Sequence, residues 1–104
     1  MMSESERYQF IKKSIIEEIV KRIRKSRGTI MTVTSSQIAR RVWGRATAVR
    51  CSIVKYVIKS LGGREFRKNR KGTRYVFEKG SETWEIAKRM DFRSAVETLA
   101  ERVR

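Results

Sequence analysis

Two short helices with clear start and stop signals follow one another in the middle of the chain. Thr34 and Gln37 have the spacing of a capping box, in which each side chain bonds the backbone N–H of the other residue at a helix start. Gly44 ends this helix because glycine adopts the left-handed conformation without strain. Thr47 caps a second helix, which continues to Leu61. We therefore expect two helices joined by a turn of a few residues.

The second helix has two different faces when its residues are placed about 100° apart. One face is apolar and predicts packing on a core; it holds Ile53, Val54, Val57, Ile58 and Leu61. The opposite face is basic and hydrogen-bonding; it holds Ala48, Ser52, Lys55, Tyr56 and Lys59. Arg50 falls near the apolar side, but a long side chain in the first helical turn can still reach outward.

The residues before this pair predict a long helix and a short extended segment. Apolar residues recur at three- and four-residue steps over residues 6–26, which is typical of an amphipathic helix, and Gly28 is its expected end. The predicted apolar stripe consists of Phe10, Ile11, Ile15, Ile16, Ile19, Val20 and Ile23. Residues 29–33 are rich in β-branched side chains and predict an extended piece or a short strand.

The residues after the pair predict a β-hairpin and then further helix. Residues 65–68 and 73–78 are candidate strands, with 69–72 as the connecting loop. Alternate positions predict that three aromatic side chains face the core, namely Phe66, Tyr75 and Phe77. From Ser81 onward helical spacing returns, with a break expected at residues 91–93.

Positive charge is concentrated in the middle third of the chain. The formal net charge is +15, and residues 40–74 hold 12 of the 26 basic residues but 1 of the 11 acidic ones. We call residues 40–74 the basic segment. A concentration of this kind predicts one face that meets a polyanion, whereas a solvated face without a partner is the less favoured interpretation.

Several classes of function are disfavoured by composition. The chain has one cysteine, Cys51, and no histidine, so neither a disulfide nor the usual transition-metal ligand sets are expected. Without a histidine base, a glycine-rich phosphate loop or paired acids in the basic segment, we expect no enzyme, no cofactor and no small-molecule ligand. No signal peptide or membrane span is expected, which favours a cytoplasmic, nucleoid-associated protein.

In this order the predicted elements resemble a winged helix-turn-helix domain. The resemblance covers TSSQIARRVWG as positioning helix and turn, TAVRCSIVKYVIKSL as recognition helix and REFRKNRKGTRYVFEK as wing. The overall style is similar to the small basic regulators of archaea and their viruses. The expected fold class is α+β, mainly α, in one domain over 1–104, with a core over 6–79 and a C-terminal helical extension over 80–104.

The resemblance implies double-stranded DNA as partner and transcription regulation as role. It places the recognition helix, 47–61, in the major groove and the wing, 64–78, on the backbone or in the minor groove. The basic candidates for phosphate contacts are Arg40, Arg41, Arg45, Arg50, Lys55, Lys59, Arg67, Lys68, Arg70, Lys71 and Arg74. The candidates for base reading lie on the recognition helix and are Thr47, Ala48, Ser52, Tyr56 and Lys55, the last of which is also a candidate for a phosphate contact. Asn69 in the hairpin is a further candidate contact.

Alternatives remain open on sequence alone. An architectural, chromatin-like DNA-binding protein, an RNA-binding or ribosome-associated winged helix, and a protein-interaction winged helix all fit the same pattern. The apolar stripe of the residues from Ser81 to Arg104 predicts packing on the first helix or, slightly favoured, a homodimer. For the aromatic residues Trp43, Trp84, Tyr75 and Phe77, packing is favoured over base stacking.

Overall fold

The computed structural model describes residues 3–69 and 72–104, and these form an α+β fold that is mainly helical. The five helices of the described residues are α1 (Glu4–Lys25), α2 (Ser35–Trp43), α3 (Ala48–Ser60), α4 (Glu82–Arg89) and α5 (Phe92–Glu101). The three strands are β1 (Ile30–Thr34), β2 (Arg64–Asn69) and β3 (Gly72–Glu78). Each predicted helix and strand is therefore present. The break between α4 and α5 lies at Met90 and Asp91, so it overlaps the predicted break at 91–93 only at Asp91.

The long helix α1 buries one side and exposes the other. Its N-terminus is capped by Ser3, and its C-terminal cap is Ser26 rather than the predicted Gly28. The prediction that Phe10 belongs to the apolar stripe was wrong, because this side chain is 63% exposed. At about 100° per residue Phe10 lies on the far side from Ile15 and Ile19, which are fully buried.

No helix in the described part of the chain is long and apolar enough to cross a membrane.

The three strands form one antiparallel sheet in the order β1, β3, β2. The extended piece before α2 pairs along its whole length with β3, from Ile30 opposite Glu78 to Thr34 opposite Arg74. The strands β2 and β3 form the predicted hairpin. The chain thus places β1 and the hairpin in one sheet, so that the start of α2 is joined directly to β1, the edge strand that pairs with the central strand β3.

A β-bulge corrects the predicted orientation of Phe66. The register passes from Glu65 opposite Tyr75 to Arg67 opposite Arg74, so Phe66 has no residue opposite it. An extra residue of this kind breaks the alternation of side chains between the two faces of the sheet. Phe66 is 59% exposed as a result, whereas Tyr75 and Phe77 are buried as predicted.

One hydrophobic core joins the helices to the sheet. It takes buried side chains from α1, α2, α3, β1, β3, α4 and α5, including Ile19, Ile38, Ile58, Phe77 and Leu99. The apolar stripe of the C-terminal residues is therefore buried within one chain. This agrees with the predicted packing on the first helix, while the homodimer through Ser81–Arg104 stays a prediction.

Candidate nucleic-acid interface

The helix α2 begins and ends as its capping signals predict. The Thr34 side chain accepts from the Gln37 N–H at 3.2 Å, and the Gln37 Oε1 accepts from the Thr34 N–H at 3.0 Å. Gly44 is left-handed, with a φ of 82°, and its N–H donates to the Arg40 carbonyl oxygen at 2.8 Å. The helix α2 is thereby fixed at both ends by local hydrogen bonds, and the turn toward α3 begins at Gly44.

The helix α3 presents its predicted polar face to solvent. Thr47 caps it by accepting from the Arg50 N–H at 3.2 Å. Val54, Val57, Ile58 and Leu61 are buried, and Ile53 is half-buried. All five residues of the predicted front are exposed, and we call this set the α3 front: Ala48, Ser52, Lys55, Tyr56 and Lys59. The helix therefore separates an apolar back from a front that is free to meet a partner.

One exposed residue of α3 was missed by the sequence analysis. Val49 is 71% exposed and lies in the first turn of the helix. Its spacing to Ser52 and Tyr56, at three and seven residues, places it beside them on the surface. That spacing was visible in the sequence, but an apolar β-branched residue in a helix is usually taken for core. The α3 front therefore has an apolar margin.

Arg50 folds back over the turn instead of pointing outward. Its guanidinium lies 5.7 Å from the centre of the Trp43 ring, and its Nη1 donates to the Arg45 carbonyl oxygen at 3.2 Å. The side chain is half-buried. A cation over an aromatic ring contributes about 0.5–1 kcal/mol at such partly exposed sites. Arg50 thus braces the turn, and its guanidinium is less open to a phosphate than that of Arg45.

The remaining candidate cations of α2, the turn and α3 are exposed, and two of them form ion pairs. Arg41 Nε lies 3.7 Å from the Glu18 carboxylate of α1. Lys59 Nζ lies 3.3 Å from the Glu65 carboxylate, which brings the end of the α3 front next to the start of β2. Within the described residues no ion pair engages Arg40, Arg45 or Lys55. The α3 front and the hairpin are therefore neighbours, joined by a side-chain contact.

The hairpin places like charges opposite each other. Arg67 and Arg74 are register partners on β2 and β3, and both are exposed. Like charges directly across a sheet are destabilising, so the pair favours an anion that would lie between or beside them. Lys68 is exposed next to this pair. Asn69 pairs through its backbone with Gly72, and the two other predicted tip residues, Arg70 and Lys71, lie outside the described residues.

Three aromatic side chains in and near the hairpin are buried in the core. Tyr75 and Phe77 are each 1% exposed, and Trp84 is 3% exposed, so their rings pack in the core. Burial raises the pKa of the Tyr75 phenol, and the Glu65 carboxylate raises it further, so this group stays neutral and adds no charge to the interface. Trp43 is half-buried beneath Arg50, and Cys51 is a half-buried free thiol.

No protein-family model, no curated protein and no solved structure matches this chain. Among the residues that the structure describes, no group of three or more acidic or cysteine side chains is placed to hold a metal ion. The interface therefore has to be interpreted from its own geometry and charge.

Proposed function

We propose that this chain is a double-stranded DNA-binding protein with a winged helix-turn-helix fold that acts as a transcription regulator. In this proposal α3 enters the major groove. The hairpin of β2 and β3 is the wing, and it lies on the backbone or in the adjacent minor groove. The terminal helices α1, α4 and α5 carry the two reading elements.

The observation that carries the proposal is the exposure of the basic segment. Of its basic side chains that the structure describes, only Arg50 is half-buried, and the others are exposed. The segment contains a single acidic residue, Glu65. Each cation that neutralises a phosphate releases counterions from the duplex, so a surface of this kind binds DNA with a steep dependence on salt.

The order and pairing of the elements support the winged-helix part of the proposal. A strand, two helices and a hairpin follow α1, and the strand pairs with the second strand of the hairpin. The left-handed Gly44 gives the short turn that a helix-turn-helix requires. The ion pair between Lys59 and Glu65 shows that the end of α3 and the start of the hairpin lie side by side, as they must if a duplex is to touch both at once.

A titration of nucleic acids at several salt concentrations tests the proposal. Binding of a random-sequence duplex DNA pool is measured against duplex RNA of equal length, and the bound DNA sequences are then selected and read. We expect DNA to bind more tightly than RNA, with a steep salt slope, and one sequence motif to be enriched.

Each other outcome has a defined meaning. Tighter binding of RNA would overturn the DNA proposal in favour of RNA recognition through shape and 2′-hydroxyl contacts. Tight DNA binding without any enriched motif would replace regulation by an architectural, chromatin-like role. A salt slope near zero would contradict the phosphate contacts altogether.

A further inference from the structure

The most exposed of the large apolar side chains in the described chain lies on the recognition helix. Val49 is 71% exposed, more than Phe10 at 63% or Phe66 at 59%. Tyr56, seven residues further on the same side of α3, is 49% exposed. The exposed apolar surfaces of Val49 and Tyr56 therefore lie two helical turns apart on the same side of α3.

The surroundings of Val49 allow a close approach by a partner. Its neighbours on the front, Ala48 and Ser52, are small. The Ser52 hydroxyl donates to the Ala48 carbonyl oxygen at 3.0 Å, so its only hydrogen is used within the helix. Residues in the first turns of a recognition helix are those that approach base edges in the major groove. Val49 lies in that part of α3.

We propose that Val49 is a specificity residue that reads the 5-methyl group of thymine in the major groove. The inference rests on the proposed function and adds the target class, a site with thymine at the position facing the start of α3. Thymine is the base that presents a methyl group in the major groove, and an apolar side chain recognises it by excluding water. The two methyl groups of Val49 offer the matching surface.

The charges around Val49 favour DNA over a protein partner for this apolar surface. Lys55 and Lys59 lie on the same front, and Arg45 precedes the helix in the turn. Interface cores between proteins are depleted of lysine, whereas a major groove is bordered by phosphates on both sides. An apolar margin next to exposed basic side chains therefore complements a thymine-bearing groove.

The test compares duplexes that contain thymine with duplexes in which uracil replaces it, since uracil lacks only the 5-methyl group. The probes are the sequences that the wild-type protein enriches from a random duplex pool, or the pool itself if none is enriched. We expect the wild-type protein to bind the thymine duplexes about fourfold more tightly, the effect of burying one methyl group. For Val49→Ala and Val49→Thr we expect this preference to fall below about twofold.

A matched control keeps the interpretation tied to the position of Val49. Met90→Ala removes another exposed apolar side chain, 38% exposed in the native chain, at the end of α4. It should keep the full preference for thymine. Thermal unfolding confirms that each variant is folded, and the substitutions at the exposed Val49 should change stability by about 0.5 kcal/mol or less.

The remaining outcomes separate this inference from the proposed function. Equal binding of thymine and uracil duplexes by the wild-type protein would overturn the role of Val49 alone and leave its apolar surface to a protein partner. A thymine preference that survives in Val49→Ala, or that Met90→Ala also removes, would overturn it as well. Loss of all duplex binding by the wild-type protein would overturn the proposed function and the inference together.

Discussion

The basic segment and the rest of the chain contain similar numbers of basic residues, but they use them differently. We call α1, α4 and α5 the terminal scaffold. Residues outside 40–74 contain 14 of the 26 basic residues and 10 of the 11 acidic ones. In the scaffold several cations bond to carbonyl groups or carboxylates of the same chain, among them Lys12, Arg24, Lys88 and Arg89. In the basic segment most of the described cations face solvent.

Reciprocal helix capping shows how the scaffold uses its cations. Arg24 Nη1 of α1 donates to the Met90 carbonyl oxygen at the end of α4, at 2.8 Å. In return Lys88 Nζ of α4 donates to the Ser26 carbonyl oxygen at the end of α1, at 2.7 Å. Each cation therefore satisfies carbonyl groups that the other helix leaves free, at the end where a helix dipole favours positive charge.

The chain terminus is held in a similar way. Lys12 is 5% exposed, and its Nζ donates to the Val103 carbonyl oxygen at 2.8 Å. Arg89 pairs with Glu85 within α4, and Arg102 pairs with Glu82 between the last two helices. The comparison teaches that the number of cations does not locate an interface. The excess of cations over acidic residues does, since it is 12 to 1 in the basic segment and 14 to 10 in the rest of the chain.

Loss of a core side chain in the scaffold should have the largest effect on folding and little effect on how DNA is contacted. Leu99 of α5 is fully buried, so Leu99→Ala should lower the free energy of unfolding by about 3 kcal/mol through lost burial and a cavity. The slope of log affinity against log salt should stay unchanged at temperatures where the variant is folded. Urea unfolding and the salt titration measure the two quantities.

The exposed Glu97 on the same helix provides the control, because Glu97→Ala should change stability by no more than about 0.5 kcal/mol. A reduced salt slope in folded Leu99→Ala would mean that the scaffold takes part in binding, and the division into two regions would fail.

Removal of three hairpin cations should have the next largest effect, this time on binding. In the variant Arg67→Ala, Lys68→Ala, Arg74→Ala the affinity for duplex DNA should fall about 100-fold at moderate salt, and the salt slope should decrease by about 2 to 3. Stability should not fall, because Arg67 and Arg74 face each other across the strands and repel. Fluorescence anisotropy at a series of salt concentrations gives both values.

A variant outside the basic segment with the same change in net charge tests whether position matters. Lys13, Arg27 and Arg93 are exposed and lie outside the basic segment, and replacing all three by Ala should leave the salt slope within experimental error. Equal losses of affinity in the two triple variants would show that only the net charge counts.

The junction of α3 and β2 gives a third, smaller effect that tests the geometry of the basic segment itself. A methyl group added at Gly63 would lie 2.5 Å from Ile58 Cγ2 and 2.9 Å from Phe77 Cζ. Gly63→Ala should therefore lower the free energy of unfolding by about 2 kcal/mol through overpacking. If the proposed function holds, it should also weaken DNA binding, because the hairpin of β2 and β3 would shift relative to α3.

Gly28→Ala is the matched glycine control, since an added methyl group there meets nothing within 4 Å. Thermal unfolding of both variants measures how much stability each substitution removes, and the loss should be larger for Gly63→Ala. Equal stability of the two would contradict the close contact at Gly63.

The smallest effect is expected at the cap of α5 in the scaffold, and it depends on pH. Hydrogen bonds from Ser94 hold the pKa of the Asp91 carboxyl below its usual value. The folded pKa is lowered, so the stabilisation is complete above the unfolded pKa of about 3.9 and is lost as the pH falls through the folded value. Asp91→Asn keeps a good cap but does not titrate.

The unfolding midpoint is measured from neutral to acidic pH for the wild-type protein and for Asp91→Asn. The two curves should differ at acidic pH. The wild-type protein should lose more stability in the acid range than the variant does. Identical curves would show that the negative charge of Asp91 does not contribute to the stability of the cap. As a control, the wild-type protein and the variant should bind DNA equally well at neutral pH.

Much of the fold was predictable because its signals are local. The capping box of Thr34 and Gln37, the stop at Gly44 and the cap at Thr47 act within one helical turn, and the structure contains all of them. The exposed α3 front followed from helical periodicity in the same way. The hairpin was predictable from its two strands, and it is confirmed in its described residues.

The wrong prediction at Phe66, and the placements of Arg50 and Val49 that the sequence left open, concern residues whose environment is set by distant parts of the chain. The bulge that turns Phe66 outward depends on the register of β2 with β3. The position of Arg50 depends on Trp43, which approaches it only after the two helices have packed. The exposure of Val49 depends on which side of α3 the core occupies.

The sequence by itself determined the elements, their ends and the excess of cations in the basic segment, since caps, periodicity and charge act between near neighbours. The tertiary structure alone decided which cations have partners inside the chain and which face solvent. It also decided that Gly63 is needed for close packing against Ile58 and Phe77. Such properties depend on contacts between residues far apart in the chain, and these form only when the core assembles.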